Sequence, residues 1–224
     1  MERQLLIEHP VGNISILKRH DQPIENMIKE NKSLALDSLP ESVTDESILI
    51  KGPVQRADVE NKNGRIYPQN VLVREANRLS EIINNVGGVL GEIDHPDIST
   101  VQLGRVPFCV RKLEGKDLMA IAEILDPTHN PNAGIVYSII KAGLPLGISS
   151  RGLGSLNYID GVNIVQEDFE MVCWDLVSDP STHSAYMRKI PVQRIKEEVE
   201  KPKKKIEVVD NVNNINDILN KIKV

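Results

Sequence analysis

Aromatic side chains are scarce in this chain: two phenylalanines, four tyrosines and one tryptophan make up 3% of its 224 residues. Proteins that grip single-stranded nucleic acid stack bases on such rings and line the groove with cations. Here the formal net charge is −5 and no basic stripe runs through the central region, so no nucleic-acid partner is expected. Cysteine is equally sparse. Cys109 and Cys173 each sit among apolar neighbours, far apart in the chain, which fits reduced core thiols of a cytosolic protein rather than a disulfide framework. No apolar run approaches the ~20 residues that span a bilayer. The N-terminus leads only into a short apolar patch, Leu5 to Ile7, so no membrane association and no export are expected.

What is present divides the chain into three parts. Residues 1–46 are polar, with little sustained periodicity, and read as a loosely ordered or removable segment. Residues 47–190 carry the regular patterns of one domain. Ile48 to Val54 suits a strand, and Gln69 to Asn84 places Val71, Leu72, Ala76, Leu79, Ile82 and Ile83 at helical spacing. Leu103–Leu113 and Leu118–Leu125 predict strands joined by a Glu114–Asp117 turn. Ala133–Ala142 predicts a helix stopped by Gly143. Asp160-Gly161 predicts a tight hairpin, and Phe169–Val177 a further strand. Residues 191–224 begin as a charged linker. They end with Val209, Val212, Ile215, Ile218, Leu219 and Ile222 at three- and four-residue steps, the pattern of a short amphipathic helix.

The stretch richest in chemistry is Gly147-Ile148-Ser149-Ser150-Arg151-Gly152-Leu153-Gly154. A serine that attacks a carbonyl needs a base to take its proton and donors to hold the developing oxyanion. Arg151 and backbone N–H groups near Ser150 and Gly152 are candidate donors. Side chains alternate along a strand, so Leu144, Leu146, Ile148 and Ser150 share one face. Ser149 then faces the other way, with Gly147 and Arg151. Gly147 adds no bulk there, which leaves room for a substrate backbone beside Ser149.

The best-placed base is His95, in Gly91-Glu92-Ile93-Asp94-His95-Pro96-Asp97. Pro96 biases the histidine toward extended backbone, and imidazole accepts and returns protons near neutrality. Asp175 interrupts the apolar run Phe169–Val177. A carboxylate there needs a partner: either an imidazole N–H, or an arginine such as Arg105 or Arg151. Asp94 and Asp97 are alternative orienting groups. A metal-dependent hydrolase built on Asp94, His95, Asp97, Asp126 and His129 is a weaker reading, because these residues lack HExxH-type spacing. No metal and no cofactor is expected.

Four blocks in fixed order carry a resemblance: Asn61-x-Asn63-x-Arg65-x-Tyr67-Pro68, Gly91-Glu92-x-x-His95-Pro96, Gly147 to Leu156, and Asp175-x-Val177-x-x-Pro180-Ser181. Across residues 48–182 the chain resembles the prohead core protein proteases of contractile-tailed bacteriophages. The resemblance implies an α+β fold: a compact, mostly antiparallel β-barrel surrounded by helices, as in herpesvirus maturation proteases, with extended N- and C-terminal segments. It implies Ser149 as nucleophile, His95 as base and Asp175 as third member. It also implies action inside the phage procapsid, in the host bacterial cytoplasm, on scaffold or core proteins and on the major capsid protein, by a homo-oligomer. Such proteases cut after glutamate in Leu/Ile-x-Glu contexts, so autoprocessing is expected after Glu41 (Leu39-Pro40-Glu41) and Glu197 (Ile195-Lys196-Glu197). Ile121-Ala122-Glu123 has the same form but lies in a predicted strand, where a protease cannot grip it. A zymogen is expected, with the N-terminal segment or C-terminal helix blocking the cleft or misplacing Arg151. The competing class is a non-catalytic capsid or tube-forming protein of related fold.

Overall fold

A computed structural model of the chain describes residues 3–8, 34–35, 39–115 and 117–193. Its strands are β1 (Gln4–Ile7), β2 (Leu34–Ala35), β3 (Ile48–Gln55), β4 (Arg65–Ile66), β5 (Val89–Ile93), β6 (Phe108–Glu114) and β7 (Leu118–Ile124). They continue with β8 (Leu146–Gly154), β9 (Leu156–Ile159), β10 (Val162–Val165), β11 (Glu170–Val177), β12 (Tyr186–Ile190) and β13 (Val192–Gln193). The two α-helices among the described residues are α1 (Gln69–Val86) and α2 (Pro131–Lys141). The proposed C-terminal helix and the charged linker beyond Gln193 lie outside the described residues.

Seven strands close into a barrel in the order β8-β11-β5-β6-β7-β3-β12, with β12 returning to the start of β8 through Tyr186↔Gly147 and Met187↔Leu146. Closure removes the open edges a sheet would otherwise present. The pairings are antiparallel except β5 with β11. The barrel is therefore mostly antiparallel, as the sequence resemblance implied, but two helices do not surround it. Helix α1 packs against β6 and β5, and α2 against β7.

The local reasons for these elements are visible in the residues. Helix α1 buries Val71, Leu72, Leu79 and Ile83 and ends where Gly87 takes a left-handed φ of 90° and returns its N–H to Ile83 O. Glu75, also buried, clamps the helix to the barrel by accepting from the Met171 backbone N–H at 2.8 Å and from Arg78 at 2.8 Å. Helix α2 starts two residues earlier than its apolar spacing suggested, because Asn130 caps Ala133 N–H at 3.1 Å and Pro131 suits the first turn. Asp160 and Gly161 both take positive φ, 50° and 91°, the turn that joins β9 to β10. The predicted strand from Leu103 is shorter than expected. Leu103–Arg105 forms a 3-10 turn with Leu103 exposed, and pairing begins only after Pro107, which has no N–H for a ladder.

The N-terminal reading needs the largest correction. Residues 4–7 are not a loose appendage: they pair antiparallel with the second half of β8, Gln4↔Gly154 through Ile7↔Arg151. Leu6 is 1% exposed and belongs to the main core. Further along, Leu39 and Val43 pack in a smaller cluster with Leu49, Ile121 and Ile190. What reads as polar sequence thus includes two anchored stretches, one because an edge of β8 was available to a four-residue apolar strand, the other because Leu39 and Val43 meet Leu49, Ile121 and Ile190.

Candidate active site

Strand β8 splits its residues by face as alternation required. Ile148 joins the core with Trp174 and Leu176, while Ser149 and Arg151 face the other side of the sheet. Cross-strand register then assembles a row, since Ser149 lies opposite Asp175 on β11, and Asp175 opposite Glu92 on β5. Directly opposed residues share a face, so a hydroxyl and two carboxylates line up there. All three are fully buried.

His95 reaches this row from the loop after β5. Asp94, in the left-handed region at φ 57°, turns the chain as its N–H donates to Leu176 O at 2.9 Å, a conformation aspartate tolerates better than most residues. The next side chain, His95, is thereby folded over β11. Its Nδ1 meets Asp175 Oδ2 at 2.8 Å, with the imidazole 2% exposed. Asp94 and Asp97 are both exposed; the carboxylate on the ring is that of Asp175.

Arg151 is the other partner of Asp175, so the two alternatives drawn from the sequence hold at once. Its Nε donates to Asp175 Oδ2 at 3.0 Å, and Nη2 to Asp175 Oδ1 at 3.2 Å and to Glu92. Nη1 donates to Ile98 O at 2.8 Å and reaches Pro96 O and Thr100 O at 3.5 Å. The guanidinium is completely buried and its fan of N–H groups is spent on internal acceptors. It ties the loop that carries His95 to the sheet, and this differs from the direct oxyanion role suggested by its place in the sequence.

Glu92, Asp175 and the thiol of Cys173 form the one cluster of potential metal ligands among the described residues, and Arg151 Nη2 donates into it, reaching Cys173 Sγ at 3.1 Å. Burial, with the Asp175 charge second, pushes the Cys173 thiol well above its ordinary value, so it stays protonated and reaches Asp175 Oδ1 at 3.3 Å. Asp126 and His129, invoked by the metal reading, pair with each other at 2.6 Å on an exposed turn.

The glycines of the motif serve packing. A Cβ at Gly147 would lie 2.7 Å from Pro180 Cδ and from Val177 O, so the space beside it is filled by the chain's own loop rather than left to a substrate. A Cβ at Gly152 would strike Phe169 at 2.5 Å.

The Ser149 hydroxyl donates to the backbone carbonyl of Glu8 at 3.2 Å, lies 3.3 Å from Ser181 Oγ, and accepts from the Ser181 backbone N–H at 3.4 Å. Glu8 follows directly on β1, and its N–H continues the pairing by donating to Ser150 O at 3.4 Å. The Glu8 carboxylate is itself buried, at 1% exposure. Oε2 accepts from the side-chain amides of Asn61 and Asn63, each at 2.7 Å. Oε1 accepts from Tyr67 Oη at 2.5 Å and Arg65 Nη1 at 3.1 Å. Arg65 Nη1 also holds Ile7 O at 2.8 Å. Burial first, then the Glu8 charge and its hydrogen bond, keeps the Tyr67 phenol well above its ordinary range and therefore a donor.

These residues carried a signal that sequence reasoning left unassigned. Asn61, Asn63, Arg65 and Tyr67 fall at two-residue steps within one block, and Leu6-Ile7-Glu8 has the same Leu/Ile-x-Glu form as the other cut sites considered. Ser181 likewise closed a block without a role. Of the other candidates, Glu41 is exposed in a turn between Pro40 and Val43, and Glu197 lies outside the described residues.

A barrel that buries a serine, a histidine–aspartate pair and a carbonyl beside that serine is built like a hydrolase acting on acyl groups. The chain belongs to the prohead core protein serine protease family, whose sequence model matches residues 25–197. It is 31% identical over 199 residues to the prohead core protein protease of Enterobacteria phage T4, covering 83% of this chain and 84% of that protein. Its fold matches the structure of the bacteriophage T4 capsid assembly protease, gp21, with a TM-score of 0.57 and 27% identity, over 79% of this chain and 99% of that one. By family, the chain is a prohead protease.

Proposed function

We propose that the protein is a serine endopeptidase that matures a phage procapsid from within, cutting core or scaffold and shell proteins. The observation that carries the mechanism is the His95–Asp175 contact at 2.8 Å on the row that holds Ser149. With the imidazole proton held on Nδ1 by Asp175, the basic lone pair lies on Nε2, the nitrogen that takes the Ser149 proton. Ser149 adds to the scissile carbonyl, an acyl-enzyme forms, and water releases it. Asp175, in contact with Nδ1, orients the ring and stabilises the imidazolium that forms as serine attacks. The Ser181 backbone N–H, 3.4 Å from Ser149 Oγ, is a candidate oxyanion donor beside the nucleophile. Arg151 acts one step back, by fixing Asp175 and the 96–100 loop.

Autoprocessing belongs to this reading. Cutting after Glu41 requires the Pro40–Val43 turn to open, since Leu39 and Val43 are packed on the barrel; cutting after Glu197 removes the charged tail. The products are smaller core fragments within the prohead, and the enzyme works as a homo-oligomer.

The test is hydrolysis of purified core protein and of a fluorogenic peptide ending in glutamate at the cut, by wild type, Ser149→Ala and His95→Gln. Activity should vanish in both variants with folding retained. Undiminished hydrolysis by Ser149→Ala would show that the hydroxyl is not the nucleophile.

A further inference from the structure

We propose that Ser181 is a further catalytic residue, its hydroxyl a second donor to the charge that builds at Ser149, and that Lys62 is the positioning residue that holds it there. The inference goes beyond the Ser149, His95 and Asp175 set and rests on the protease reading.

The direction of the contact follows from counting protons. A serine hydroxyl has one proton to give, and Ser149 gives its own to the Glu8 carbonyl at 3.2 Å, an oxygen that can only accept. In the 3.3 Å contact between Ser149 Oγ and Ser181 Oγ, Ser181 is therefore the donor. Its backbone N–H meets the same oxygen from 3.4 Å, so one residue aims two donors at the nucleophile. Ser181 is completely buried, and this is the only hydrogen bond its hydroxyl makes among the described residues. In a low-dielectric setting such donors act more strongly than they do in water.

The chemistry that such donors serve is charge stabilisation. As the Ser149 proton passes to His95, negative charge gathers on Oγ. As Oγ bonds to the scissile carbonyl carbon, the carbonyl π electrons move onto its oxygen, two bonds from Oγ. Donors already set around Oγ are near the charge at both stages. Ser181 transfers neither of its protons.

A donor on a loop is useful only where the loop is held. Residues 178–182 lie between β11 and β12 in no strand or helix. Pro180 packs where Gly147 has no side chain, since a Cβ there would lie 2.7 Å from Pro180 Cδ. Lys62, from a separate segment, adds two ties. Its backbone N–H donates to Ser181 O at 3.0 Å, and its Nζ to Asp179 Oδ1 at 2.6 Å. These two bonds bracket the Pro180–Ser181 peptide, whose N–H meets Ser149.

The test uses the full chain and two readouts: steady-state hydrolysis of the fluorogenic glutamyl peptide, and the rate at which a fluorophosphonate labels Ser149, read as intact mass. Ser181→Ala should lower kcat and the labelling rate alike by about 100-fold, the effect of losing one donor to a developing oxyanion, with KM and melting temperature near those of wild type. Lys62→Met should lower kcat by about 10-fold in the wild-type background and by less in Ser181→Ala, since it acts through that residue. Lys62→Arg, which keeps a cation for Asp179, should restore most of the loss. Undiminished kcat and labelling in Ser181→Ala overturn the catalytic role, as does a loss confined to KM or matched by unfolding. Equal losses from Lys62→Met in both backgrounds overturn its positioning role. If neither hydrolysis nor labelling by the wild-type chain depends on Ser149, the protease reading fails, and this inference with it.

Discussion

Two neighbours of Ser149 carry buried carboxylates held in opposite ways: Asp175, opposite it on β11, and Glu8, whose backbone carbonyl meets its hydroxyl. Asp175 sits in mid-strand on β11, its charge matched by the guanidinium of Arg151 and by His95, with every partner on a barrel strand or the loop that strand β5 feeds. Glu8 sits at the end of a four-residue strand, held largely by neutral amides and a phenol from the 61–67 segment. The first arrangement cannot leave without dismantling the sheet. The second is the docking of one chain segment on another, where backbone pairing and side-chain donors both supply attachment.

The sharpest cut through this contrast falls where the regions meet. Ser149→Ala should lower turnover by roughly 10⁴-fold or more, as for other nucleophile deletions, without lowering the melting temperature; a large loss of stability would mean the hydroxyl serves the fold. Breaking the permanent site comes next. Arg151→Met strands two buried carboxylates, and should cost about 3–5 kcal/mol, a fall on the order of 10 °C in thermal unfolding. Arg65→Gln, on the docked side, should cost less, about 1 kcal/mol, because its guanidinium is partly exposed and Glu8 keeps three other donors. Equal destabilisation by the two would erase the distinction.

A fourth buried carboxylate gives a smaller, pH-dependent effect. Burial pushes Glu75 up, but Arg78, the Met171 N–H and Arg74 outweigh it and hold the group below its usual 4.5. A depressed carboxyl stabilises the fold above the ordinary carboxylate range and loses that contribution as pH falls through its folded value. Glu75→Gln should therefore lower stability by about 1–3 kcal/mol at neutral pH, and the gap from wild type in pH-dependent melting should close in acid. A gap constant with pH would contradict the ionic role. The smallest effect belongs to Gly161→Ala, about 1 kcal/mol, since φ is 91° in the β9–β10 turn; denaturant midpoints would register it.

Much of the barrel was legible because its signals are local. The helix over residues 69–86, the Asp160-Gly161 hairpin and the strands flanking residue 115 follow from side-chain periodicity and turn chemistry confined to a few neighbours. Alternation even told Ser149 from Ser150. Legibility failed where partners came from far along the chain. The Leu5–Ile7 patch is too short to form structure by itself; only the free half of β8 makes a strand of it. Arg151 looked like an oxyanion donor because its sequence neighbours offer nothing to bind, whereas Glu92, Asp175 and Ile98 arrive from other strands and loops.

Residue order alone therefore determined which groups were candidates for the chemistry, Ser149, His95 and Asp175, and the family to which the chain belongs. Tertiary structure decided which carboxylate meets the imidazole, what saturates the arginine, and that Glu8 lies against the serine. The reason is physical: strand and helix preferences are written within a few residues, but hydrogen-bond partners across a closed barrel are chosen by register between distant segments, Glu8 and Ser149 being 141 positions apart.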